Sequence, residues 1–356
     1  MEFQVILTMF KRVLYEISVL SPSYFGAVMA TGTVSLVLYV NHLIIPALLL
    51  TFLNLAMYII LLLFLVIRIL KFPRKVEQDL KRSDLGPGFL TLIAGTDVVG
   101  DEMILLFHQF TLALTLWITS LVLWLTLQYY FLLVLILREE KNGFKDVNGL
   151  WLLFPVSTLT ISVLAVDLSS YLPSMIYAGL ITYFMGWIIY LVFTVLIAFR
   201  LFLSRVSVEE MIPAYWINGG FPALASLSSS LMVIHSASLH SIPILHTLHG
   251  FLEGTGLFIW TYGSWWIPLL FLLFLWKHVV RKVSFLKYDF QFWSALFPLA
   301  IYDLGTYFTG RVTRIPGILL ISYVFLYVVL ILWIYQFAGL IYNVFVKLRK
   351  PIDGIT

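Results

Sequence analysis

Six acidic side chains interrupt stretches that are otherwise apolar enough to cross a bilayer: Asp97, Asp101, Glu102, Asp167, Glu253 and Asp303. An ionised carboxylate in hydrocarbon is costly, so each must face protein, water or a partner. Asp97 falls near the middle of its stretch, GPGFLTLIAGTDVVGDEM, and Asp303 lies in FWSALFPLAIYDLGTYFTG, Phe292 to Gly310. These two are the candidates for proton coupling, since a transporter moving a dicarboxylate with a proton would use such groups. Asp101, Glu102 and Asp167 fall toward the outer ends of their stretches, where a solvated interface accounts for them. Arg311 and Arg314 could pair with the acids or attract anions to an outer mouth.

The Phe292–Gly310 stretch also holds Phe297 directly before Pro298. Proline lacks an N–H and its ring bends a helix. Phe297 lies roughly nine residues into its helix, about 14 Å at 1.5 Å per residue, which is close to mid-bilayer. A set of small polar residues on other stretches could line an anion path: Thr31, Gly32, Thr96, Ser157, Thr160, Ser162, Asn218, Gly219 and Gly220. Hydroxyls, an amide and exposed backbone N–H groups donate to an anion without a fixed charge, and weak binding permits exit. Taken singly, most of them are equally explained by close helix packing. His235, His240, His246 and His249 cluster in sequence, and His246 and His249 stand at i, i+3, a spacing that metal ligands use. With no cysteine in the chain and no supporting motif, they read as loop histidines, and no metal or cofactor is expected.

Membrane helices must position these residues. Of the 356 residues 61% are hydrophobic and 11% charged, well under the roughly 25% charged residues of soluble domains. Repeated apolar runs of about 20 residues identify an all-α polytopic membrane protein. The net charge of +4 is dispersed over short loops and gives no nucleic-acid signal. Ten helices are expected: 21–40, 45–70, 86–107, 110–137, 149–168, 172–199, 211–235, 250–278, 288–308 and 315–346. They form one transmembrane domain over 21–346, after a cytoplasmic amphipathic lead-in over 1–20 and before a cytoplasmic tail over 347–356. Only Arg311 and Arg314 of the 22 basic residues fall on one side, leaving 20 on the other. Both termini are therefore expected to be cytoplasmic.

The helices alternate in character. The even-numbered ones are rich in leucine, isoleucine and phenylalanine and suit lipid. The odd-numbered ones are rich in glycine, serine, threonine and proline, with Pro22, Pro87, Pro155, Pro213, Pro222 and Pro298 recurring about once per helix pair. The pattern reads as a helix pair used five times in parallel, an inner ring shielded by an outer one.

FGAVMATGTVSLVL at Phe25–Leu38 and WSALFPLA at Trp293–Ala300 resemble the first- and ninth-helix motifs of the tellurite-resistance/dicarboxylate transporter family. WINGGFPALA at Trp216–Ala225 and WLLFPVSTLTISV at Trp151–Val163 are similar more loosely to its seventh and fifth helices. That family includes malic acid permeases, sulfite pumps and slow-type plant anion channels. The resemblance implies ten helices as five hairpins in quasi-five-fold arrangement, odd helices lining a central pore, a homotrimer, and a phenylalanine gate, which is Phe297 here. It implies small anions as substrates, C4-dicarboxylates such as malate or inorganic anions. Asp97, Asp101, Glu102 and Asp303 depart from the family pattern. The expectation is a plasma-membrane anion channel or transporter in the lipid bilayer. The alternatives are a proton-coupled dicarboxylate carrier using Asp97 or Asp303 and an integral-membrane metal-dependent enzyme, which lacks a motif of the H-E-x-x-H kind.

Overall fold

The computed structural model describes residues 2–139, 141, 143–237, 242–285 and 287–349, with side chains from residue 10 to residue 347. Among these residues twelve α-helices form. They are α1 (Glu2–Ser18), α2 (Gly26–Val40), α3 (Ile44–Lys71), α4 (Pro73–Lys81), α5 (Leu90–Phe107) and α6 (Phe110–Leu137), followed by α7 (Leu153–Leu168), α8 (Met175–Leu203), α9 (Ile217–Ser236), α10 (Pro243–Leu275), α11 (Trp293–Thr313) and α12 (Ile318–Arg349).

Five of these helices are preceded by a short 3-10 turn: Pro22–Phe25 before α2, Gly86–Phe89 before α5, Gly149–Leu152 before α7, Pro213–Trp216 before α9 and Phe290–Phe292 before α11. The sequence dictates where they start. Ser21, Asn148 and Asp289 each accept a hydrogen bond from the backbone N–H two residues on, and Pro22 and Pro213 occupy the first and Pro87 the second position of their turns, where a missing N–H costs nothing. Consecutive turns touch one another, and Tyr24 stacks on Phe290 at 4.9 Å between ring centres. The five helices therefore start together at one end.

α2 packs on α5, α5 on α7, α7 on α9, α9 on α11 and α11 back on α2, while α3, α6, α8, α10 and α12 lie against α2, α5, α7, α9 and α11 respectively. Burial separates the two sets. Within the most apolar 18 residues, 83% are buried in Pro22–Val40, 100% in Gly149–Leu168 and 94% in Pro213–Ser236, against 17% to 39% in the five outer helices. Among the described residues eight helices are long and apolar enough to cross a membrane. The other two inner helices, α5 with three carboxylates and α11 with Asp303 and Arg311, fall outside that set.

α1 docks through Lys347–Glu16 (2.6 Å) and Lys75 Nζ to Ser18 Oγ (2.9 Å). The largest departure from an expected helix start is in α10. α10 begins at Pro243, seven residues before the expected Gly250, because a proline at its first position starts it. His246 and His249 thus lie on a helix and not in a loop.

Candidate functional site

Two cavities lie along the inner ring. The outer one, about 140 Å³, is lined by all five inner helices with one register. The lining residues are Thr33, Leu36 and Val40 on α2; Val98, Asp101 and Leu105 on α5; Thr160, Val163 and Asp167 on α7; Leu224, Leu227 and Leu231 on α9; and Ile301, Leu304 and Phe308 on α11. Each triplet is i, i+3, i+7, one stripe of a helix. The inner cavity, about 510 Å³, is lined from the ends bearing the 3-10 turns, by Ser23, Leu85, Leu150, Ala214, Phe290 and Ser294 among others.

One turn back from the first residue of each triplet, the same stripe carries Met29, Ala94, Val156, Gly220 and Phe297. All five are buried, and they line neither cavity. This layer separates the two, and Phe297, 2% exposed, is its bulkiest member. Gly220 of this layer lies against Pro298. A Cβ on Gly220 would stand 3.2 Å from Pro298 Cγ.

The remaining sequence candidates distribute as follows. Thr160 lines the outer cavity and donates to Asp97 Oδ2 at 2.7 Å. Asp97 also accepts from Ser120 Oγ on α6. Thr31 accepts from the Trp333 indole on α12 (3.1 Å), and Thr96 bonds Tyr58 on α3 (2.9 Å). Gly32 faces Asn54 and Val98, and Gly219 faces Ile267 on α10. Ser157 donates to its own helix at Phe154 O, and Ser162 to Gly179 O. Asn218 is fully buried, and neither polar atom of its amide has a partner. Asp303 accepts from Ser322 Oγ on α12 at 2.5 Å. Arg311 lines a mouth of about 320 Å³ that shares Tyr39, Val40 and Phe308 with the outer cavity, and donates to Tyr307 Oη at 3.1 Å. Arg314 ends α11 in a left-handed conformation, exposed.

Asp101, Glu102 and Asp167 are not solvated, contrary to expectation: they are 4%, 0% and 5% exposed. Glu102 accepts from Asn54 Nδ2 at 2.7 Å, whereas Asp101 and Asp167 face the outer cavity. Arg200 went unremarked in the sequence. Buried to 1% exposure, it lines the inner cavity and pairs with Glu210 at 2.9 Å. The Ser207 N–H holds the Glu210 carboxyl below its usual range. Among the histidines, His235 Nδ1 lies 2.8 Å from Leu231 O and Nε2 lies 2.9 Å from Ser170 Oγ; His240 lies outside the described residues. Among the described residues no group of three histidine or acidic side chains could hold a metal.

The family model described as Voltage-dependent anion channel matches residues 19–341. The chain belongs to the voltage-dependent anion channel family. An uncharacterized transporter of Methanocaldococcus jannaschii is 24% identical over 315 residues, 85% of this chain and 87% of that protein. A second transporter of that organism is 24% identical over 307 residues, 82% and 84% respectively. An uncharacterized membrane protein of Mycobacterium tuberculosis is 29% identical over 148 residues, 42% of this chain and 73% of that protein. These findings agree with the resemblance drawn from the motifs. Members of the voltage-dependent anion channel family are transporters or channels, so this multi-pass membrane protein is not an enzyme.

Proposed function

We propose that this protein passes small anions, C4-dicarboxylates such as malate or inorganic anions, along the axis of its inner helix ring, with Phe297 as the gate. The observation that supports this reading is the register: Phe297 stands on the cavity-lining stripe, buried, in the layer between two cavities. A bulky ring in a narrow apolar constriction blocks ions sterically and by dewetting. Lining hydroxyls at Ser23 and Ser294 offer donors without fixed charge.

The ten-helix, five-hairpin arrangement across a bilayer is supported by helix packing and by the inner–outer difference in burial. In this reading residues 21–346 form the membrane domain, flanked by cytoplasmic segments 1–20 and 347–356. The basic residues at the 3-10 end support cytoplasmic termini. The plasma-membrane location and the homotrimer rest on the motif resemblance.

The test is current measurement in planar bilayers with anion substitution. Wild type gives an anion permeability sequence, and Phe297→Ala raises conductance. Unchanged flux in a normally folded Phe297→Ala protein would count against the gate. A second reading, a proton-coupled dicarboxylate carrier, is favoured by the burial of Asp97 and Asp303 on hydroxyl donors. It predicts slow, pH-dependent flux that Asp97→Asn or Asp303→Asn flattens.

A further inference from the structure

Asp101 on α5 and Asp167 on α7 face the same outer cavity, on the external side of the Phe297 layer. α5 packs directly on α7, so the two carboxyl groups share the wall of this one cavity. Both side chains are more than nine-tenths buried, and Asp101 Oδ1 has no donor among the described residues. An unpartnered, buried carboxyl oxygen beside a second carboxyl can be satisfied by a proton. Among the described residues no basic side chain lines the cavity; Arg311 on α11 lines the mouth that shares Tyr39, Val40 and Phe308 with it, where it donates to Tyr307 Oη. An ionised pair there would be two uncompensated charges in an apolar enclosure, which is strongly disfavoured.

We infer that Asp101 and Asp167 are a proton-binding pair in the anion path: with both carboxyls protonated the outer cavity is neutral and admits an anion, and with either carboxyl ionised it repels one. The proton binds the carboxyl pair from the outer aqueous side and no covalent bond changes. This inference rests on the anion-path reading of the same axis and assigns its pH control to two residues outside the gate.

The surrounding titratable groups have other partners or places. On α5, Asp97 is held by Ser120 and Thr160, and Glu102 by Asn54. On α3, Tyr58 bonds Thr96, and on α8, Tyr183 reaches Thr255 at 3.5 Å. On α2, Tyr39 shares the cavity wall, and His235 near the end of α9 bonds Ser170. On α6, Ser120 faces Asp97, and on α11 the lining residues Ile301, Leu304 and Phe308 are apolar.

The experiment is chloride flux into vesicles containing the full-length protein, at equal pH on both sides from 5 to 9. Chloride carries no titrating proton, so any pH profile belongs to the protein. Wild-type flux is expected to fall about tenfold per pH unit above a midpoint, the slope of a single required proton. Asp101→Asn/Asp167→Asn, neutral and nearly isosteric, is expected to hold its acid-side flux across the range. Should the double variant fail to insert, Asp167→Asn alone is expected to move the midpoint by about one pH unit or more, since coupled carboxyls interact by that much. A pH-independent wild type, or a wild-type profile retained in the Asn variants, would overturn the inference. Absence of chloride flux at every pH in both wild type and Phe297→Ala would instead overturn the anion-path reading, and this inference with it.

Discussion

Gly220 on α9 packs against Pro298 on α11 so closely that a Cβ on Gly220 would meet Pro298 Cγ at 3.2 Å and Cβ at 3.3 Å. Gly220 belongs to the Phe297 layer, and Pro298 follows Phe297 directly in α11. The approach of α9 to α11 at this layer therefore depends on one missing methyl group. Gly220→Ala needs a shift of a few tenths of an ångström. Gly220→Val forces the two helices apart, and overpacking of this kind costs about 1–3 kcal/mol. Expected outcomes are a lower unfolding temperature in detergent for Gly220→Val, a smaller drop for Gly220→Ala, and altered anion flux in both. Identical melting curves and currents would show that the approach is not held in the working protein.

Asp97 sits at 0% exposure with Ser120 and Thr160 as its donors, one from α6 and one from α7. Removing a donor leaves a buried oxygen unsatisfied, which costs about 1–3 kcal/mol. Thr160→Val keeps the shape and loses the hydroxyl, so it should destabilise by that amount, while Thr160→Ser should recover most of it. Thermal unfolding of the purified variants checks the difference. Equal stability of Thr160→Val and Thr160→Ser would mean that the bond contributes nothing.

The alternation of helix types was legible because lipid and protein are different solvents for a helix. α3 carries leucine and isoleucine over its exposed faces, while the inner helices need Gly32, Gly100 and Gly305 to approach their neighbours. Which face of an inner helix meets the axis was not legible. α7 is buried throughout Gly149–Leu168, so its apolar pattern has no polar side to point away from solvent. Thr31 and Thr96 share the residue type of Thr33 and Thr160, yet the first two bond outer-helix side chains and only the latter pair lines the outer cavity. Asp101 and Asp167 looked like interface residues because each is near a helix end. Their burial comes from the other four inner helices closing over them, which distance along one chain cannot reveal. The i, i+3, i+7 stripe through all five helices was present in the sequence, but recognising it needs the relative register of helices far apart in the chain.

Gly149 opens the 3-10 turn before α7, and a Cβ there would stand 2.5 Å from the Tyr215 backbone nitrogen. Backbone cannot rotate aside as a side chain can. Gly149→Ala should therefore separate the turns before α7 and α9 at the floor of the inner cavity. The cost is at the upper end of overpacking, about 3 kcal/mol, so the variant should express poorly or melt well below wild type. Gly143→Ala is the control: although strained at φ 65°, it has no atom within 4 Å of the added methyl. It should lose only about 1 kcal/mol, the cost of a left-handed backbone at a non-glycine residue. Comparable losses for the two variants would refute the packing explanation.

Arg200 brings a positive charge to the inner cavity from α8, held by Glu210 at 2.9 Å and by a bond to Arg205 O at 2.8 Å. A guanidinium at the cavity wall attracts anions arriving from that side, and salt screens such attraction within about 10 Å at 0.1 M. Arg200→Gln keeps a donor and removes the charge. Anion flux entering from the inner side should fall at low ionic strength, and the gap from wild type should close as salt rises. Arg200→Lys should restore most of the flux but not the stability, because an ammonium cannot reproduce the two-pronged bond to Glu210 and Arg205. Loss of a hydrogen bond to a charged group predicts a deficit of about 1.5–3 kcal/mol for Arg200→Lys. Flux measured at two salt concentrations, beside the melting temperatures, separates the two roles. A flux defect in Arg200→Gln that persists unchanged at high salt would assign Arg200 to structure alone.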